Sequence, residues 1–470
     1  MNPVTLRGPQ VRSSSFNAIP GEIYCLIFIY ARSASLLDIY YANRRPIEIT
    51  ISHVCQLWRN ISLNYPVLWN TIRYSVPKSE TPSPTDLLAM YLDRSQGCLL
   101  EIWWNFRKRL RPALGVVHSA MLTSLADVAT RWRRITLLLD HDDESLLLQC
   151  VQLCKLNPTH LEHFSICPQR GEGECRIPQE VALSKPRIFL AGAPKLTSVR
   201  LESSSWRPLL PPLANIVTIR LESPSKNPIP QDGIRLSTLL NLFSLKFLEN
   251  VSLSGFTLTE DVPIANSKIF TSTLRDFRCG CLNLVALLPL LEAPHLHTLT
   301  LKNAHLPILV AQSLPSLQSL ILLNTTVHWT SFATSPSTIS MQIKHLTISE
   351  NSASGTFSSH ALTCMSKDIW PELVTLSCNI QQISHIDMYL QLAAMNNTHP
   401  FTLRINRRLL EMWFDRANDS MTTLKAICYV QAWDEVTPLI PHQWPYTEEF
   451  NIDHVVDKMD HDNFRVLSYH

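Results

Sequence analysis

Ten times along this chain a six-residue frame returns: apolar, any, any, apolar, any, apolar. It begins at Trp132, Leu161, Leu196, Ile216, Leu248, Leu274, Leu296, Leu317, Ile343 and Leu373, at steps of 20 to 35 residues. The second half of the frame alternates with period two, the signature of a short strand with one face in a core. A strand that returns this often cannot bury its apolar side alone, so the frame predicts a stacked array in which each unit covers its neighbours. Four of the strands are preceded by P-x-L, at Pro194-Lys195-Leu196, Pro294-His295-Leu296, Pro315-Ser316-Leu317 and Pro371-Glu372-Leu373. Proline at that place is expected to stop a preceding helix just before the strand.

The residues between the inward apolar ones line the opposite, concave face. The fifth frame position reads Arg200, Arg220, Ser252, Arg278, Thr300, Ile321 and Thr347; the seventh reads Glu202, Glu222, Ser254, Gly280, Lys302, Leu323 and Ser349. Neighbouring parallel strands lie about 4.8 Å apart, which would stand Arg200 beside Arg220. Two readings stay open for this face. In one, the arginines and Glu202 and Glu222 neutralise each other as an exposed surface ladder. In the other, Arg200, Glu202, Arg220, Glu222, Arg278 and Lys302 belong to a target site, where planar guanidinium forks grip the carboxylates or phosphates of an acidic peptide.

Ahead of the array stands a different pattern. Pro20 suits the first helical position and Glu22 the first turn of a helix in "IPGEIYCLIFIY" (19–30). Ile23, Leu26, Ile27 and Tyr30 follow the spacing of one buried face, while Tyr24, Cys25, Phe28 and Ile29 form a second apolar face, more than one small domain can bury. In "ISHVCQLWRNISLNYPVLW" (51–69) Ile51, Val54, Cys55, Trp58 and Ile61 mark one face of a second helix ended by Pro66, with His53 exposed and Cys55 a small buried residue.

These stretches resemble the F-box motif, with its L-P-x-E-I start, its V-C-[RK]-x-W-R helix and its closing P-x-L-W. The chain departs from it in carrying Ile19 for the usual Leu and a longer middle segment at 31–49. The resemblance implies docking on the Skp-family adaptor of a cullin-RING ubiquitin ligase. It assigns that contact to Ile19, Pro20, Glu22, Ile23, Leu26, Ile27, Val54 and Trp58, and gives the second apolar face to the partner. The array is similar to the degenerate leucine-rich repeats that follow the F-box in many fungal proteins, and "YLDRSQGCLLEI" (91–102) to the segment that links the two there. The function this implies is a non-enzymatic substrate adaptor that recruits a protein target for ubiquitination; the alternative is a leucine-rich-repeat scaffold whose helices only cap the array.

Composition narrows the partners. Lys plus Arg total 41 against 39 for Asp plus Glu, a net charge of +2, which gives no electrostatic case for nucleic acid or an anionic membrane. Twelve cysteines are scattered without the framework of a small secreted domain, which fits a reducing compartment, cytoplasmic or nuclear. Pro289 interrupts the longest apolar stretch, so no span of about 20 residues suited to a bilayer is expected. Glycine numbers only 11, and no Gly-rich phosphate cradle or hydrolase, metalloprotease or kinase signature is present, so neither catalysis nor a cofactor is expected. The densest set of potential ligands, Cys150, Cys154, His160, His163, Cys167 and Cys175, lacks common zinc spacing, and His163 and Cys167 fall in a strand frame. The run Asp140 to Glu144 reads as a solvated loop, and Cys279-Gly280-Cys281 as strand and turn.

The expected architecture is therefore α/β: a disordered tail at 1–18, an F-box at 19–76, and a linker and N-terminal cap at 77–130 that begins with the Pro- and Ser-rich stretch 77–85. An irregular leucine-rich-repeat solenoid follows at 131–395, with parallel strands lining a concave face and helices or loops outside. A capping segment at 396–470 carries a basic helix at 406–418.

Overall fold

The computed structural model describes residues 19–37, 46–75, 83–105, 114–139, 151–168, 186–202, 209–222, 233–234, 236–254, 257–258, 268–280, 285, 287–302, 305–306, 309, 311–323, 325–327, 339–349, 370–379, 389–390, 402–416 and 418–433. The expected tail at 1–18, the linker residues 77–82, the acidic run 140–144, Cys150, Cys175, Cys281, Trp444 and Tyr446 lie outside them.

Fourteen strands form one sheet in unbroken chain order, every neighbour parallel. They are β1 (Thr71–Ser75), β2 (Leu100–Asn105), β3 (Trp132–Leu139), β4 (His163–Pro168), β5 (Ser198–Glu202), β6 (Thr218–Glu222) and β7 (Asn250–Ser254). Then come β8 (Asp276–Gly280), β9 (Thr298–Lys302), β10 (Ser319–Leu323), β11 (His345–Ser349), β12 (Thr375–Asn379), β13 (Thr402–Asn406) and β14 (Tyr429–Trp433). All ten frames found in the sequence fall on strands. The array is longer than 131–395, however: β1 and β2 precede it, and β13 and β14 continue it into the segment expected only to cap it. The first strand, β1, follows the helical region directly within 19–76; most of the expected linker at 77–85 lies outside the described residues.

Alternation builds the core. Val199, Leu201, Ile219, Leu221, Leu299 and Leu301, and their counterparts on the other strands, are buried on one side of the sheet. Burial of such a side chain contributes about 1.5–3 kcal/mol, and the repetition makes one continuous core from Tyr24 to Cys428. Phe189 links two units, with ring centroids 5.2 Å from Phe164 and 6.4 Å from Trp132. Cys167, Cys279 and Cys378 are buried thiols.

Where the preceding residues are described, at Pro194, Pro294 and Pro315, the prolines of P-x-L follow no α-helix. In each case the leucine N–H donates to the carbonyl of the residue before proline: Leu196 to Ala193 and Leu296 to Ala293 at 3.1 Å, Leu317 to Leu314 at 3.1 Å and Leu373 to Trp370 at 3.2 Å. Proline thus occupies the second position of a β-turn, for which its fixed φ is suited. Among the described residues outside the sheet, α4 (Pro84–Arg94) and α5 (Leu114–Ala126) precede β2 and β3, and α6 (Leu236–Phe243) precedes β7. Elsewhere there are 3-10 turns and two-residue parallel pairs such as Ile269–Phe270 with Leu291–Glu292. The expected basic helix appears as α7 (Arg407–Arg416), followed by α8 (Asn418–Ile427). No described helix is long and apolar enough to cross a membrane.

At the N-terminal end stand α1 (Gly21–Leu37), α2 (Ile47–Ile51) and α3 (Gln56–Leu63), with a 3-10 turn at Pro66–Trp69 that runs into β1. The single helix expected from 51 is broken into α2 and α3. Cys55 is exposed rather than buried, and its sulfur accepts the Trp58 N–H at 3.5 Å as the cap of α3.

Candidate functional site

The apolar surround of α1 divides opposite to expectation. Tyr24, Phe28 and Arg32, at four-residue intervals, are the buried stripe. Phe28 and Tyr24 meet Trp58 of α3 at centroid distances of 5.1 and 6.2 Å, forming an aromatic wedge between the helices. Arg32 Nη1 donates to the carbonyls of Val67 at 2.6 Å and Leu68 at 3.1 Å and to Asn70 Oδ1 at 3.0 Å, tying α1 to the turn before β1. Ile23, Leu26, Ile27 and Tyr30 face outward instead, 44, 54, 45 and 76 % exposed, and Val54 and Leu57 add exposed apolar surface beside α3.

Of the residues assigned to an adaptor contact, Pro20, Glu22, Ile23, Leu26, Ile27 and Val54 are exposed and Ile19 is half-buried. Trp58 belongs mainly to the aromatic wedge. Tyr30 and Leu57 were missed as surface residues: Tyr30 fitted the spacing of a face taken to be buried, and Leu57 lay outside the predicted stripe.

The polar face of the sheet brings Arg200 and Arg220 into register on β5 and β6, as the frame predicts, and Ser252 separates Arg220 from Arg278. Lys302 is in register with Leu323. The expected exposure is overturned: Arg200 and Arg220 retain 2 and 3 % of their surface, while Arg278 and Lys302 are half-buried. Both buried arginines are held by further interactions. The side chains of Glu202 and Glu222 lie outside the described residues, as do Asn303 and Asn324.

A second polar cluster sits where the helices meet the sheet, and the sequence frame did not reveal it. The Tyr91 hydroxyl of α4 donates to Glu48 Oε1 of α2, both buried. Burial raises the Glu48 carboxyl above its ordinary range, opposed by the Tyr91 hydrogen bond and by Arg73 and Arg32. Burial likewise lowers Arg73 to about 10. Glu101 Oε1 of β2 is 3.4 Å from Arg133 Nη1 and 3.9 Å from Arg134 Nε, and Arg133 Nε is 3.1 Å from Glu162 Oε2. The available signals were a charged residue inside the apolar run "IEITI" and charged residues at strand positions facing away from the core.

The cysteine and histidine set is dispersed among structural contacts. His163 Nδ1 lies 3.0 Å from Ser198 Oγ, His160 Nδ1 lies 3.0 Å from the Thr130 carbonyl, and Cys167 is buried beside Ser165 at 3.3 Å. Among the described residues no three His, Cys, Asp or Glu gather as metal ligands. The sequence matches no protein-family model and no curated protein.

Proposed function

We propose that the chain is a substrate-recognition adaptor of a cullin-RING ubiquitin ligase. Helices α1 to α3 bind the Skp-family adaptor, which connects to the cullin, and the parallel array, read as degenerate leucine-rich repeats, holds a protein target in the cytoplasm or nucleus. The observation that carries this reading is the apolar surface of Ile23, Leu26, Ile27, Tyr30, Val54 and Leu57 on helices whose own core is complete without it. An apolar patch of this kind on a water-soluble surface marks a protein contact. Four of its residues, Ile23, Leu26, Ile27 and Val54, are among those that the F-box resemblance assigns to the adaptor. The chain supplies no chemistry in this role; it raises the effective concentration of a target near a ubiquitin-carrying enzyme.

A scaffold whose helices only cap the array is the second reading, favoured by the direct run of Trp69 into β1 and by the shared core. Co-expression with a Skp-family adaptor discriminates the two. The ligase reading expects a stable complex that survives gel filtration and is lost in Leu26→Asp/Ile27→Asp. A folded wild-type protein that captures no such adaptor would favour the scaffold.

A further inference from the structure

We propose that β14 is a dimerisation edge, on which a second copy of this chain pairs antiparallel about a two-fold axis at Gln431. Among the described residues β14 ends the sheet and is paired on one side only, with β13. At successive steps of the array the first residue of a strand donates its amide back to the residue just ahead of the preceding strand. Ser319 donates to the His297 carbonyl at 3.0 Å, Thr375 to Lys344 at 3.0 Å and Thr402 to Val374 at 2.8 Å. Tyr429 is the register partner of Thr402 and holds the same place in β14, so Tyr429, Gln431 and Trp433 turn their amides towards β13. Amide direction alternates along a strand, and the amides of Val430 and Ala432 therefore point away from the sheet.

The side chains mark the same edge as open. Leu403 and Ile405, on the core side of β13, are fully buried, whereas their register partners Val430 and Ala432 are only half-buried. Strand edges are commonly blunted by charge or by proline. At the other end of the sheet β1 carries Arg73 and is followed by Pro77, but β14 reads "YVQAW", with neither. This strand is its own complement. With the axis at Gln431, Val430 stands opposite Ala432 of the second copy and Tyr429 opposite Trp433, and no charge meets like charge. The outward amides and carbonyls of Val430 and Ala432 exchange four main-chain hydrogen bonds across the axis, and the two Gln431 residues face each other as the close, non-hydrogen-bonded pair. Opposed residues of an antiparallel pair share a face, so the half-buried Val430 and Ala432 of both copies join in one core. A contact of a patch with itself closes at two copies. It lies at the opposite end of the sheet from β1, is independent of what α1 to α3 bind, and makes that binding bivalent.

The test uses the full chain, with sedimentation over a range of concentrations. Wild type should be a dimer that dissociates on dilution. Ala432→Pro removes an outward N–H while leaving the ladder to β13 intact, and should weaken the dimer roughly tenfold or more, since symmetry removes two hydrogen bonds. Gln431→Cys should form a disulfide with its own counterpart under mild oxidation, assigned by peptide mass mapping, because the two Cα atoms are about 4.5 Å apart. Tyr429→Cys should not, since its counterpart lies four residues along the strand, about 13 Å away. A wild type that is monomeric at every concentration, as capping of the edge by the chain's own later residues would make it, overturns the proposal. So does a dimer in which Tyr429→Cys cross-links as readily as Gln431→Cys, a comparison that stands even if Ala432→Pro fails to fold.

Discussion

Tyr91 and Glu48, 43 residues apart, are joined by a buried hydrogen bond that fastens α4 to α2 and so ties the N-terminal helices to the first outer helix of the array. Tyr91 also packs edge-on against Trp69 at 5.5 Å, and the Arg94 guanidinium lies 4.3 Å over the same indole ring. Tyr91→Phe keeps the ring contact and strips the carboxyl of its donor. The expected cost is about 1–3 kcal/mol, measured by urea unfolding.

Glu48 should also leave a mark on the pH dependence of stability. Its folded pKa is raised, so between the ordinary carboxylate range and the raised value the folded state binds more protons than the unfolded state. The contribution of Glu48 is then most favourable at low pH and declines as pH rises through that window. Glu48→Gln removes this slope, leaving a flatter profile in chemical denaturation above the ordinary carboxylate range, on the order of one proton less in linkage. An identical slope in both proteins would show that the carboxyl does not titrate in this way.

The two faces of α1 should separate stability from docking. Phe28→Ala opens a cavity beside Trp58 and is expected to cost about 3–5 kcal/mol. Leu26→Asp changes an exposed position and should shift stability by no more than about 0.5 kcal/mol, while eliminating adaptor capture if the ligase reading holds. Thermal unfolding and co-purification, read side by side, check both.

Arg220→Glu would place an acidic side chain among buried groups in register with Arg200 and Ser252. Removing a buried, compensated charge typically costs about 3–5 kcal/mol, well above the small effect expected of an exposed ladder. Circular dichroism during urea unfolding should reveal the loss. Reduced target capture by this variant would therefore reflect unfolding unless the fold is shown intact, and Lys302→Glu, at a half-buried position, is the cleaner probe of the polar face.

Pro315→Ala relaxes the unfolded chain while leaving the Leu314–Leu317 turn able to form. The expected destabilisation is about 0.4–1 kcal/mol. A loss well above that, in calorimetry, would mean that the proline does more than preset the turn.

The strand frame was legible because each unit repeats the same solution, apolar residues two apart beneath a turn, and repetition makes a weak local signal visible. The side taken by α1 was not, because the helix is apolar nearly all round and its periodicity contains no preference. What decides it is distant: Trp58 receives Tyr24 and Phe28, and the turn carbonyls at Val67 and Leu68 receive Arg32. Burial of Arg200 and Arg220 was hidden for a similar reason. Alternation says which face a side chain takes, but not whether that face meets water. The adjacency of the same two arginines was readable, since register follows from the frame itself.

The passage of Trp69 through Asn70 into β1 leaves no hinge between the first helices and the sheet. The strands then act as graduations on a ruler whose zero mark is fixed. A molecule held on the helices and another held at a given strand are separated by a whole number of strand widths, each about 4.8 Å. Gain or loss of one unit by duplication or deletion would shift the reach of such a protein by one graduation while leaving the contacts at either end unchanged, so spacing and recognition can evolve independently.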